Sequence, residues 1–184
     1  MGIIKYLNLD YIEKTVIPLI HKNYVRKDNP AHNYLGEPIG MKEVEGCLER
    51  VQWDYVVEVI PKATQLFLCI NLGHYFSNGN KRLALVTLSS FFVENGYAFR
   101  DNYNKSDFSK YLEKLFPKFN NYEDEEDFTS AEFAYYNLTI IVADNKKYGY
   151  SHDELKAKVE EFLNYSVITP EEVQDYGDIY RKEN

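Results

Sequence analysis

Leu72–Leu88 reads LGHYFSNGNKRLALVTL. A histidine, an aromatic pair, a small polar turn around Gly79 and two adjacent cations open onto a run with almost no polar residue. On the other side, Lys62–Leu72 (KATQLFLCINL) is also apolar nearly all round, as is Leu83–Val93 (LALVTLSSFFV). Helices that are apolar on every face belong at the centre of a bundle. Asn95-Gly96 is a helix C-cap signal. The helix predicted over Asn80–Asn95 is roughly 24 Å long at the standard rise, enough to be the spine of a small domain.

The rest of the pattern is helical too. Apolar residues at Ile12, Val16, Leu19 and Ile20 predict a helix over Asp10–Asn23, kinked or divided at Pro18. Lys27–Gly40 is rich in Pro, Gly and Asn and predicts a loop or short hairpin. Helices are predicted over Met41–Gln52, Ser106–Phe116 with Ser106 as N-cap, Ser130–Asp144 and Ser151–Asn164. Ser151 and Glu154 form a capping box, and Thr169-Pro170 starts a last helix. The only strand signals are near Tyr97–Phe99 and before Gly40. Asn120–Phe128 reads as a solvated acidic linker. The fold class is therefore all-α, in one domain spanning residues 1–184 with a helical extension from about 165.

Composition bounds the function. The 184 residues suffice for one real core, and 45% hydrophobic content is ordinary for a globular chain. A net charge of -8 argues against non-specific binding to nucleic acid or anionic membranes. No apolar run is long enough to span a bilayer, and the first residues lack a signal-peptide pattern, so a cytoplasmic protein is expected. Cys47 and Cys69 sit in apolar helical contexts and are expected as buried reduced thiols. The glycosylation-like triplets at Asn104, Asn137 and Asn164 are read as chance. Seventeen Tyr and eleven Phe close a core or line a partner face, and composition does not separate the two. For Phe133, Tyr135, Tyr136, Phe162 and Tyr165, core is expected.

The turn His74–Arg82 carries the chemistry. A small polar turn before a helix start presents backbone N–H groups and the positive end of the helix dipole, and Lys81 and Arg82 add two charges. His74 lies one turn upstream, where it could take a proton from a hydroxyl. Asn78 offers an oxygen to a divalent cation riding on phosphates. Phe76 points back into the core and pins the loop. The set suits phosphoryl or nucleotidyl transfer. The plainer alternative is a histidine bonded to backbone and two solvated cations.

HYFSNGNKR resembles the signature of the Fic/Doc superfamily, HxFx[DE][GA]N[GK]R, at every constrained place but Asn78, where the family has Asp or Glu. Glu49–Gln52 (ERVQ) and FFVENGYAF after the motif are also similar to Doc-type toxins. The likeness spans about 38–99 and, more loosely, the helices to about 163. It implies an all-helical bundle with a short hairpin flap, placed near Tyr24–Ile39, that docks the target chain. It implies His74 as general base, Phe76 as anchor, Asn78 at the metal (Mg²⁺) position, Gly79 and Asn80 in the phosphate nest, and Arg82 on a nucleotide phosphate. Lys81 matches the Doc branch, where a side chain fills the pocket that adenylyl-transferring members leave open. Doc-type proteins pass the γ-phosphate of ATP to a threonine of elongation factor Tu, and an antitoxin restrains them in trans. The expectation is thus a Doc-like kinase toxin; the alternatives are transfer of AMP or another nucleotide monophosphate to a protein, or a silent nucleotide- or partner-binding Fic-fold protein. Ser90–Asn95 (SFFVEN) fits the family's self-inhibitory pattern but lies inside the helix after the motif, and is read as chance.

Overall fold

The computed structural model describes residues 3–23, 30, 32–53, 55, 57–100, 102–124 and 128–173. The chain begins with α1 (Leu9–Tyr11), a π turn (Ile12–Val16) and α2 (Ile17–Asn23) in one continuous helical run. Of the kink or division read at Pro18, the division does not occur. A proline has no N–H and crowds the carbonyl four residues back. The run widens to a π turn just ahead of it, with the Ile17 N–H donating to Ile12 O, and continues.

Then follow α3 (Pro38–Trp53), α4 (Val59–Gly73), α5 (Asn80–Glu94), β1 (Ala98–Phe99), α6 (Lys105–Leu115), α7 (Ser130–Ala143), α8 (Asn145–Tyr148), α9 (His152–Ser166) and β2 (Val167–Ile168). The architecture is all-α, with β1 and β2 forming one antiparallel pair. In the segment read as a loop or short hairpin before Gly40, Tyr34–Gly36 is a 3-10 turn, with the Asn33 side chain accepting from the Gly36 N–H, and no strand occurs among its described residues. Residues 24–29 and 31 of that segment lie outside the described residues.

α5 is the spine. Leu83, Ala84, Leu88, Phe91 and Phe92 are buried on different faces of it, so it packs against α4, α7, α2 and the π turn at once. α4 in turn meets α3, α7 and α9. Burying one such aliphatic or aromatic side chain contributes about 1.5–3 kcal/mol. Asn71 on α4 donates to Thr139 O on α7 at 2.9 Å, satisfying a polar group in that core. Lys62, fully buried, sends Nζ to Val51 O in the last turn of α3, where a cation complements the helix dipole.

Three local expectations change. α6 is capped by Asn104, not Ser106, because Asn104 and Asp107 bond each other's backbone N–H reciprocally. The stretch after Asn120 is held rather than merely solvated as far as Asp124: Asn137 clasps both Glu123 N and Glu123 O, and Lys105 pairs with Asp124 at 2.7 Å. Cys47 and Cys69 are not reduced thiols but a disulfide. α3 and α4 run side by side there with Cα atoms 5.9 Å apart, a separation that bridging requires. Beyond α9, β2 ties the chain back to β1, and Thr169 and Glu172 cap a helical turn reciprocally; residues 174–184 lie outside the described residues. Phe133, Tyr135 and Phe162 are core, while Tyr136 and Tyr165 are half-buried. Among the described residues no helix is long and apolar enough to cross a membrane.

Candidate functional site at the junction of α4 and α5

α4 ends at Gly73, and the chain is turned by His74 in the left-handed conformation, φ 47°. That conformation costs an L-residue on the order of 1–2 kcal/mol. His74 is exposed. Phe76 goes the other way. It is buried, with ring centroid 5.1 Å from Tyr34 and 5.8 Å from His32, edge to face in both cases. α3 can approach because residue 40 is glycine: a Cβ there would lie 2.6 Å from the Phe76 ring and from Tyr75 O.

The turn closes on itself. Asn80 brackets Phe76, accepting from its N–H at 3.0 Å and donating to its carbonyl at 2.7 Å. Gly79, at φ 80°, offers its carbonyl to the Tyr34 hydroxyl at 2.9 Å, and any Cβ on it would collide with that hydroxyl. The exposed Asn78 accepts the Gly79 N–H at 2.6 Å. Burial pushes the Tyr34 phenol up to about 12, with the Arg82 guanidinium pulling the other way. Arg82 itself is buried and Lys81 half-buried.

The six site residues read from the sequence therefore divide. His74 and Asn78 face out. Asn80 and Arg82 turn inward, and the side chain of Asn80 works as a staple of the turn. Gly79 spends its N–H on Asn78. The N-cap of α5 is Gly79, which has no side chain to cap with, and the first three N–H groups of the helix have no acceptor within it, which is the condition for holding an anion. Such N–H groups suit the charge of a phosphate group. A Mg²⁺ ion finds less: among the described residues no three His, Cys, Asp or Glu side chains stand together as a metal site, and Asn78 brings a neutral amide where a hard cation favours a carboxylate.

Sequence reasoning missed Tyr34 and Glu37. The Glu37 carboxylate accepts from Ser77 N at 3.0 Å and Ser77 Oγ at 2.5 Å, tying the start of α3 to the turn. His32 Nε2 stands 3.1 Å from Glu37 Oε1 but is not aligned for a hydrogen bond. The Asn-Tyr-Leu-Gly-Glu-Pro stretch signals only a turn, so its partnership with residue 77 is a tertiary fact.

The Ser77 hydroxyl and N–H hold the Glu37 carboxyl below its ordinary range. A carboxyl whose pKa is depressed on folding adds stability that is present above its unfolded pKa and lost as pH falls through the folded one. Urea unfolding at about pH 6 and about pH 3 is expected to show a smaller acid loss for Glu37→Gln than for the wild type. Equal losses would mean that the contact does not outlive the competition with water.

Ser90–Asn95 lies in the last turn of α5 and just past it, the end away from His74, and Glu94 there accepts from the Tyr11 hydroxyl at 3.0 Å. It is part of the spine, as read from the sequence. No family model, curated protein or solved structure matches the chain.

Proposed function

We propose that the chain is a protein-modifying transferase of Fic/Doc type that moves the γ-phosphoryl group of ATP to a hydroxyl of another protein. The observation that carries the reading is an exposed, left-handed His74 close to the N-terminus of α5, which starts from a glycine N-cap and is flanked by Lys81. His74 takes the proton of the acceptor hydroxyl. Its oxygen attacks the γ-phosphorus, the bond to the β-phosphate oxygen breaks, and ADP leaves. The first-turn N–H groups and Lys81 neutralise phosphate charge, the larger part of catalysis in such transfers. A translation factor such as elongation factor Tu is the first acceptor to try, and an inhibitory partner in trans is implied by the same resemblance.

A second reading is a silent nucleotide-binding protein. It is favoured by Asn78, whose amide oxygen is neutral and already accepts the Gly79 N–H.

ATP labelled at the α or the γ position, incubated with candidate acceptors, separates the readings. Transfer of γ-label supports the kinase, α-label supports nucleotide monophosphate transfer, and transfer of neither supports the silent protein. Asn78→Asp keeps an acceptor for the Gly79 N–H and adds the charge that a Mg²⁺ ion favours. Transfer is expected to rise about tenfold, equivalent to ~1.4 kcal/mol in cation affinity. A fall would give the amide itself a role.

A further inference from the structure

A cavity of about 370 Å³ opens between α3, α4 and α9, and the Cys47–Cys69 disulfide forms part of its wall. Its ionisable lining is Arg50, His152, Lys156 and the Tyr75 phenol, with no carboxylate among the described residues. This is an anion-seeking pocket on a chain of net charge -8. Its volume suits a molecule of tripeptide size. The two sulfurs differ in access: Cys47 is fully buried, while Cys69 is half-exposed. Arg50 Nη2 lies 3.8 Å from Cys47 Sγ, and the Tyr75 hydroxyl lies 3.4 Å from it. Both are placed to stabilise a thiolate on Cys47, which makes it the better leaving group.

We propose that this cavity is a thiol–disulfide exchange site for a small acidic thiol of the glutathione type. The incoming thiolate attacks Cys69 Sγ. A new sulfur–sulfur bond forms to Cys69, the Cys47–Cys69 bond breaks, and its electron pair stays on Cys47 as a thiolate beside Arg50. The sulfur of the small thiol is oxidised and Cys47 is reduced, so no other oxidant takes part. The Tyr75 hydroxyl also lies 3.7 Å from Cys69 Sγ, and Tyr75 adjoins His74. An adduct on Cys69 therefore displaces the phenol that braces the α4–α5 turn.

The test uses the full chain. Wild-type protein is mixed with reduced glutathione, quenched in acid and mapped by peptide mass, and Cys47→Ser protein is mixed with glutathione disulfide, where no second thiol resolves the adduct. One glutathione on Cys69 is expected in each, formed roughly tenfold faster than the adduct of an uncharged probe, 2-mercaptoethanol or its disulfide. Arg50→Gln with Lys156→Gln is expected to remove that preference while the circular dichroism and melting temperature stay unchanged. If Cys47→Ser fails to fold, the wild-type arm decides. An adduct on Cys47, no adduct on folded protein, or equal rates with the neutral probe overturns the proposal.

Discussion

Phe76→Ala is expected to remove about 3–5 kcal/mol of folding stability, the range for deleting a buried aromatic ring. For a chain of this length that is a drop of roughly 10 °C or more in melting temperature. The site explains why the upper half of the range is expected. The Phe76 ring is 5% exposed and stands edge-on to both Tyr34 and His32, and the cavity left behind cannot close easily. α3 is held at its distance by the backbone at Gly40, and the Tyr34 hydroxyl is fixed on Gly79 O. The loss also spreads, because the Asn80 bracket grips the backbone of residue 76 itself. Thermal unfolding followed at the tyrosine band measures it. A cost under about 1 kcal/mol would mean that the α4–α5 turn is seated by its hydrogen bonds and not by this ring.

What the sequence made legible is what local patterning controls. The two all-round apolar segments named α4 and α5 as the centre, because a helix without a polar face has nowhere else to go. Phe76 was legible for a related reason: one large apolar residue among small polar ones is the part of a turn that gets buried. Four features were not legible, and each fails for a definite reason. Pro18 reads as a kink or a division, but a π turn just ahead of it lets the helical run continue undivided. Ser106 reads as the cap of α6, but Asn104, a residue type that caps equally well, takes that place, and the reciprocal bond from Asp107 fixes it there. The disulfide depends on two helices lying face to face, which residues 22 positions apart do not announce. Glu37 reaches Ser77 across 40 positions, so a carboxylate at the candidate site was visible only once α3 had been packed against the turn.

His74→Gly is expected to separate stability from chemistry. Glycine occupies the left-handed region without the Cβ penalty, so the substitution relieves the strain at φ 47°. Against this stands the greater freedom that glycine gives the unfolded chain, about 0.4–1 kcal/mol. The net expectation is a gain of up to about 1 kcal/mol, or a few degrees in melting temperature. His74 is exposed, so little packing is lost. Transfer from ATP, in contrast, is expected to fall about a hundred- to ten-thousand-fold, the contribution of a positioned general base. A loss of transfer together with a gain in stability is the result expected if the left-handed conformation at His74 serves the proposed chemistry. His74→Asn is the control: it also suits the left-handed region but has no imidazole, and should match glycine in lost transfer. If both variants retain transfer, His74 is a cap and not a base. If glycine lowers stability, the imidazole has a packing partner that its exposed position does not reveal.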